Sequence, residues 1–352
     1  MHLQRVCGPQ RLAWNSAMVR IDERRCAEIA SLLRRITIPP PTEEGALQGL
    51  STAQLPNFYF LVVAICHQTS PVGGPMLHGT LDSGESCRGW DYLRKRIAER
   101  VRHDSSWIEP TRWISTTQSD LEELLADSNG HKALTGSERR AQIVQNLGSR
   151  CVELRLRHAE ELLTRCEGWI IGAPCGGLYT LLGTFDGYRD PVKKKSSFFL
   201  ELMRTECRWS FRDIEHLGAP VDYHEVRGHL RLGTVKIEDP QLLQNIQERR
   251  EVTAEQDLAI RTAVYGAIEQ ISREHGGTRP AELHYLFWNT FRCCCSREEQ
   301  HCNHCSPSCV LPSRYKEAFD TVQVRRCVFT ANCASSGMLD KPIEHQHLTD
   351  YY

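Results

Sequence analysis

Phe185-Asp-Gly-Tyr-Arg-Asp-Pro-Val-Lys-Lys-Lys195 runs directly into Ser196-Ser-Phe-Phe-Leu-Glu-Leu-Met203, a charged loop set against an apolar helix. Gly and Pro punctuate the first half, while the second carries apolar residues at helical spacing. Three lysines at a helix start oppose the helix dipole. They are therefore read as functional, holding a phosphate or aiming an amine at an electrophile. The same alternation of loop and periodic helix extends in both directions. Helices are predicted over Val19–Arg34, from about Leu55, over Trp90–Val101, Ser137–Cys166, Ser196–Cys207 and Gln256–Arg273. Ser119-Asp-Leu-Glu122 and Thr253-Ala-Glu-Gln256 have the form of capping boxes. Asp239-Pro240 offers an N-cap followed by proline at the first helical position. The prolines of Thr37–Gly45 make that stretch a linker, and Gly73–Gly89 reads as a loop that could carry function. Only Gly233–Ile237 invites a strand. The expected fold class is mainly α.

Composition excludes some functions. With 40% hydrophobic and 25% charged residues, the 352-residue chain is expected to fold rather than remain disordered. A formal net charge of −1 gives no global basic signal, so any attraction to phosphates must be local. No apolar run approaches the roughly 18 residues of a membrane span. Met1–Trp14 lacks the apolar core of a signal peptide. The expectation is a soluble, cytoplasmic monomer.

Two further segments carry chemistry. In Ala219-Pro-Val-Asp-Tyr-His-Glu-Val-Arg-Gly-His-Leu-Arg-Leu-Gly233, Asp222 follows a proline turn and precedes a helix, a position suited to an N-cap or a catalytic carboxylate. Eight of the sixteen cysteines crowd between Cys293 and Cys333. Among them Cys295, Cys302, Cys305 and Cys309 are separated by six, two and three residues, a spacing that lets four thiolates converge on one centre. Cys293, Cys294, Cys327 and Cys333 leave the choice of quartet open, and His301 and His304 are further candidate zinc ligands. The expected organisation is a helical domain over 1–289 with two lobes and a cleft, a cysteine-rich module over 290–335, and a flexible tail over 336–352.

Together these segments resemble the helix-hairpin-helix DNA glycosylase superfamily. Val62-Val-Ala-Ile-Cys-His-Gln-Thr-Ser70 is similar to that family's early helix, with His67 in place of one of its two glutamines. The lysine run resembles the catalytic lysine position. Counting back from Met203 favours Lys195, whereas the Asp-Pro-x-Lys-Lys form of archaeal 8-oxoguanine glycosylases favours Lys194. Asp222 stands in the place of the catalytic aspartate. His284–Cys295 and the cysteines after it resemble the iron–sulphur tail of endonuclease III and adenine-DNA glycosylases, with the last gap two residues shorter. Gly176-Gly177 is the nearest counterpart of the hairpin Gly-x-Gly. A second resemblance, from about Val19 to Ile271, is to the queuosine-salvage N-glycosyl hydrolases. It runs through Gly89-Trp-Asp-Tyr-Leu93, Glu138-Arg-Arg140, Tyr188-Arg-Asp190, Val221-Asp-Tyr223, Leu230-Arg-Leu-Gly233 and Glu255–Arg261. That family's Asp-Tyr-Arg-x-Pro-Gln is here Asp222-Tyr-His-Glu-Val-Arg227, and the family has no cysteine tail.

Both resemblances imply cleavage of an N-glycosidic bond. Asp222 would stabilise positive charge on the sugar. Lys195 or Lys194 would attack the sugar carbon, with accompanying strand cleavage, or bind phosphate. Gln68, His67, Tyr188, Tyr223, Arg227 and Trp90 would contact substrate. The cysteine tail implies a 4Fe-4S cluster, with zinc as the alternative. The expected partner is DNA carrying a modified base. A hypermodified phage base points to antiviral defence, and an oxidised base to excision repair. The other readings are a queuosine-type nucleotide hydrolase in salvage, and a zinc-bearing nucleic-acid binding protein without catalysis.

Overall fold

A computed structural model describes residues 16–40, 47, 49–132, 135–305, 309–320 and 326–352, the side chains of 173–175 excepted. The stretch Met1–Trp14 and positions 41–45 of the proline linker lie outside these residues. The chain is mainly helical, with 52% helix and a few short strands. In chain order the elements are β1 (Val19–Ile21), α1 (Glu23–Leu33), α2 (Leu55–Ala64), β2 (His78–Thr80), β3 (Ser86–Arg88) and α3 (Gly89–His103). Then come α4 (Pro110–Trp113), α5 (Gln118–Leu124), α6 (Ser137–Glu153), α7 (Glu160–Arg165), α8 (Ala173–Leu182) and α9 (Lys194–Glu206). The series closes with α10 (Tyr223–Leu232), β4 (Val235–Ile237), α11 (Pro240–Gln247), α12 (Ala254–His275), α13 (Pro280–Cys293) and α14 (Ser313–Asp320). Among the described residues no helix is long and apolar enough to cross a membrane.

The chain divides into two compact units. The first combines Met1–Pro39 with Val221–His347, and the second combines Pro40–Pro220 with Leu348–Tyr352. The division falls inside the expected proline linker. The described residues of the cysteine-rich segment fall in the first unit together with α1.

In the first unit α1 packs on α12, and α10 packs on both α12 and α13. Asp22 starts α1 by accepting from Arg25 N at 3.0 Å, and Cys26, Ile29, Ala30 and Leu33 form its buried stripe. The helix predicted from Val19 therefore begins four residues later. Val19-Arg-Ile21 alternates inward and outward, and pairs antiparallel with β4, Val19 opposite Ile237 and Ile21 opposite Val235. β4 is the one strand the sequence suggested. The caps at Asp239 and Thr253 form as expected. Residues 342–347, assigned to a flexible tail, are instead packed. His345 Nε2 lies 2.8 Å from Asp257 on α12, Val252 N donates to Gln346 O at 2.9 Å, and Glu344 is ion-paired inside the unit.

The second unit is centred on α2, whose apolar run Phe58–Ala64 is buried on all sides and contacts α3, α6 and α9. A helix apolar all round belongs in a core. Three expectations shift here. The loop Gly73–Gly89 contains the antiparallel pair β2–β3, Gly79 opposite Cys87. The cap of α5 is Thr117 with Asp120, not Ser119 with Glu122: Asp120 N donates to Thr117 Oγ1 at 3.2 Å and Thr117 N to Asp120 Oδ2 at 2.7 Å. Finally, the periodicity of Ser137–Cys166 is broken after Leu154 by Arg155 at φ +53°, which gives α6 and α7.

Between α7 and the body of α8 the backbone turns sharply, with Gly176 at φ +80° and Gly177 at φ +78°. Leu178 N donates to Trp169 O at 2.9 Å and Asp213 accepts from Ile170 N and Ile171 N, which holds the turn closed. A Cβ on Gly177 would lie 2.4 Å from Ile170 O, a backbone atom that cannot move aside. Gly177→Ala is expected to destabilise the protein by at least about 2 kcal/mol, through both the clash and the left-handed φ. Denaturant unfolding of the two proteins measures this.

Candidate functional site

Asp222 lies at the amino end of α10, and the turn Pro220-Val221 delivers it there in extended conformation. Its side chain is both a cap and more than a cap. Oδ1 accepts from His224 N at 2.8 Å and Glu225 N at 3.3 Å, and Glu225 Oε2 accepts from Asp222 N at 3.3 Å, a reciprocal capping box. The second oxygen, Oδ2, accepts from the indole N–H of Trp288 at 2.9 Å. Three donors fix the carboxylate, and the residue as a whole is 9% exposed.

Trp288 comes from α13, one turn beyond His284, whose Nδ1 lies 2.8 Å from Glu225 Oε1. Residues four apart on a helix share a face, so α13 supports the carboxylate and its capping partner together. Tyr223 follows Asp222, its ring 4.3 Å from that of His224 and covered by the Arg297 guanidinium at 5.1 Å. Burial, with the Asp222 carboxylate beside it, pushes the Tyr223 phenol up to about 12, so it remains an O–H donor at neutral pH. Burial and the Arg227 guanidinium push His224 well below the usual histidine range, leaving it neutral.

Arg227 serves the fold. Its nitrogens reach Glu344 Oε2 at 2.9 Å, His224 Nδ1 at 2.8 Å and Cys295 O at 3.0 Å. It is 1% exposed, as is the Glu344 side chain. Burial opposes ionisation of Glu344, but Arg227 and Arg297 beside it hold its carboxyl below the usual range. This site thus gathers Asp222, Tyr223 and Arg227 from the sequence reading. It adds Trp288, Glu225, His284, Arg297 and Glu344, to none of which the sequence reading assigns a role.

His67, Gln68, Trp90, Tyr188, Lys194 and Lys195 all lie in the second unit. Lys195 is fully buried, its Nζ donating to Ala64 O at 2.5 Å and lying 3.3 Å from His67 Nδ1. Arg140, buried as well, donates to Ile65 O at 3.0 Å and to His67 O. These cations cover the carbonyls left unpaired where α2 ends, the favourable end of that helix for positive charge. Burial lowers the Lys195 amine to about 7, with Lys194 and Arg140 adding to the effect against Cys66. Lys194 Nζ lies 3.6 Å from Cys66 Sγ and sits over the Phe198 ring. Tyr188 is a core residue, stacked on Phe60 at 5.2 Å with its hydroxyl on Phe60 O at 2.7 Å, and so offers no face to a base. Trp90 is half-buried and meets Phe198 edge-on at 4.9 Å. Gln68, at φ +50°, and His67 both face residues 349–352.

The expected quartet Cys295, Cys302, Cys305 and Cys309 lies in a segment of which positions 306–308 and 321–325 fall outside the described residues. Among the described residues no group of three or more His, Cys, Asp and Glu side chains stands so as to hold a metal ion. Several of the thiols stand near enough to influence one another. Cys294, raised by burial, interacts with Cys327, Cys309, Cys293 and Cys305. Cys333, pushed up to about 11 by burial, interacts with Cys295 and Cys302, as does Cys327. Arg231 Nη1 donates to Cys295 Sγ at 3.1 Å, and Cys333 Sγ donates to Arg231 O at 3.2 Å. No protein-family model matches the chain, and no curated protein matches it by sequence.

The depressed Lys195 amine has a measurable consequence. Unfolded, the amine titrates near 10.5 and binds a proton that the folded state gives up above about 7. Stability therefore rises with pH between those values, by at most about 1.4 kcal/mol per unit from this residue. Lys195→Met is expected to flatten that rise in urea unfolding measured at pH 7, 8 and 9.

Proposed function

We propose that the chain hydrolyses N-glycosidic bonds, releasing a modified base from DNA, with Asp222 as the catalytic carboxylate. The observation that carries this reading is the fixing of Asp222 by Trp288 and two backbone N–H groups at a helix end. Departure of a base leaves positive charge on the sugar. A carboxylate already oriented needs no reorganisation to stabilise that charge, a term that often dominates such barriers. Tyr223, held as a phenol, supplies a donor next to it. The turn at Gly176-Gly177 between two helices supports a helix-hairpin-helix arrangement, in which such a turn lies on the nucleic-acid backbone.

The engagement of Arg227 and Lys195 inside the protein favours a second reading. With these cations used in the fold and a net charge of −1, a small phosphorylated nucleoside is an alternative substrate to the polymer. Lys195 then acts on the fold and its amine plays no covalent part. The cysteine-rich segment is read as a metal-binding module, for a 4Fe-4S cluster or for zinc.

Mass spectrometry of free base released from unmodified DNA, hypermodified phage DNA and queuosine monophosphate tests the reaction and the substrate together. Asp222→Asn keeps a capping oxygen and removes the charge, so it is expected to lower release about 10²- to 10³-fold in a folded protein. Undiminished release by this variant would overturn the assignment, and release from none of the substrates would favour a binding role. Metal analysis of the purified chain decides the module. Iron with equimolar inorganic sulphide supports the cluster, zinc alone supports zinc, and neither metal removes the proposal.

A further inference from the structure

The loop after α2 and the first turn of α6 hold three hydrogen-bond donors that face one short segment. Gln68 N donates to Tyr352 O at 2.9 Å and Gln68 Nε2 to Thr349 O at 2.8 Å. Arg139 Nε donates to Asp350 Oδ2 at 2.5 Å, and its Nη1 to Gln142 Oε1 at 3.2 Å. His67 Nε2 lies 3.7 Å from Asp350 Oδ1. Lys195 Nζ sits 3.3 Å from Nδ1 of the same ring. Gln68 N, Gln68 Nε2 and Arg139 Nε all donate to oxygens of residues 349–352, with His67 beside them.

A site made only of donors, one of them a guanidinium, suits an oxyanion. Asp350 supplies a carboxylate to it in cis. The arrangement is built, because His67 is buried and the Arg140 guanidinium is anchored behind it on Ile65 O. It is also accessible, because the Arg139 side chain is 40% exposed and that of Asp350 27%. Gln68 holds a left-handed φ that non-glycine residues rarely adopt.

We propose that Arg139, His67 and Gln68 form a phosphate-binding subsite that Asp350 occupies in the resting chain, and that a phosphate monoester or diester displaces residues 348–352 from it. The subsite rests on these contacts alone; only the choice of nucleotide probes rests on the proposed function.

Calorimetric binding of inorganic phosphate, a deoxynucleoside 5′-monophosphate and a short single-stranded oligonucleotide to the full chain tests the idea. Asp350→Asn, which keeps the shape of the side chain, is expected to bind at least one probe tenfold or more tightly than wild type, and Arg139→Gln is expected to bind none. Tighter binding of the mononucleotide alone assigns a free nucleotide, and of the oligonucleotide alone assigns a polymer. Amide hydrogen exchange on wild type is independent of how the variants fold: saturating the tighter probe is expected to release protection at 349–352. Unchanged affinity in a folded Asp350→Asn, or full protection retained at saturation, overturns the proposal. Base release reports on Asp222 separately. Binding without release leaves this subsite standing, whereas release with unchanged binding removes it alone.

Discussion

Two guanidinium groups buried on successive turns of one helix organise the first unit. Arg227 and Arg231 on α10 are each 1% exposed, and a buried charge is tolerated only when its donors are satisfied. Arg227 takes Glu344, His224 and the Cys295 carbonyl. Arg231 takes the carbonyls of Cys295, Ser296 and Pro342. The cysteine-rich segment and residues 342–344 are therefore bound to the same helix that starts at Asp222. Removing Arg227 would leave Glu344 with Arg297 alone, and removing Arg231 would take a donor from three carbonyls, losses larger than the net value of the pairs themselves.

The second unit solves a related problem at the end of α2. An apolar helix that stops inside a core leaves carbonyls without partners, and here Lys195 and Arg140 reach in from α9 and α6 to cover them. The cost falls on Lys195, whose amine gives up its proton near neutrality. Lysines at the start of α9 looked misplaced against that helix's own dipole because the helix they serve is a different one.

Much of the helical content was legible because 3.6-residue periodicity and capping chemistry are local: α9, α11 and α12 follow the sequence reading closely. Boundaries failed where a short pattern competed with a longer one. Val19-Arg-Ile21 alternates as a strand inside a stretch with helical spacing, and Arg155 adopts a left-handed φ that no residue type announces. Asp222 was legible as a cap, but Trp288, which holds its second oxygen, lies 66 residues away in sequence and could not be paired with it in advance. Tyr188 illustrates the general difficulty with aromatics, since a stacking platform and a core residue read alike until burial is known.

The discontinuity of the first unit has a consequence for synthesis. α1 buries its stripe against α12, and Leu33 and Ala254 are separated by 220 residues. At roughly 5–20 residues per second, the finished α1 would spend about 10–40 s on the ribosome before its partner emerged. During that interval Ile29 and Leu33 are a small greasy surface at the front of a growing chain, open to any chaperone that samples nascent helices. The order in which the two units mature is thus written into their connectivity, with most of the second unit translated before the first can close.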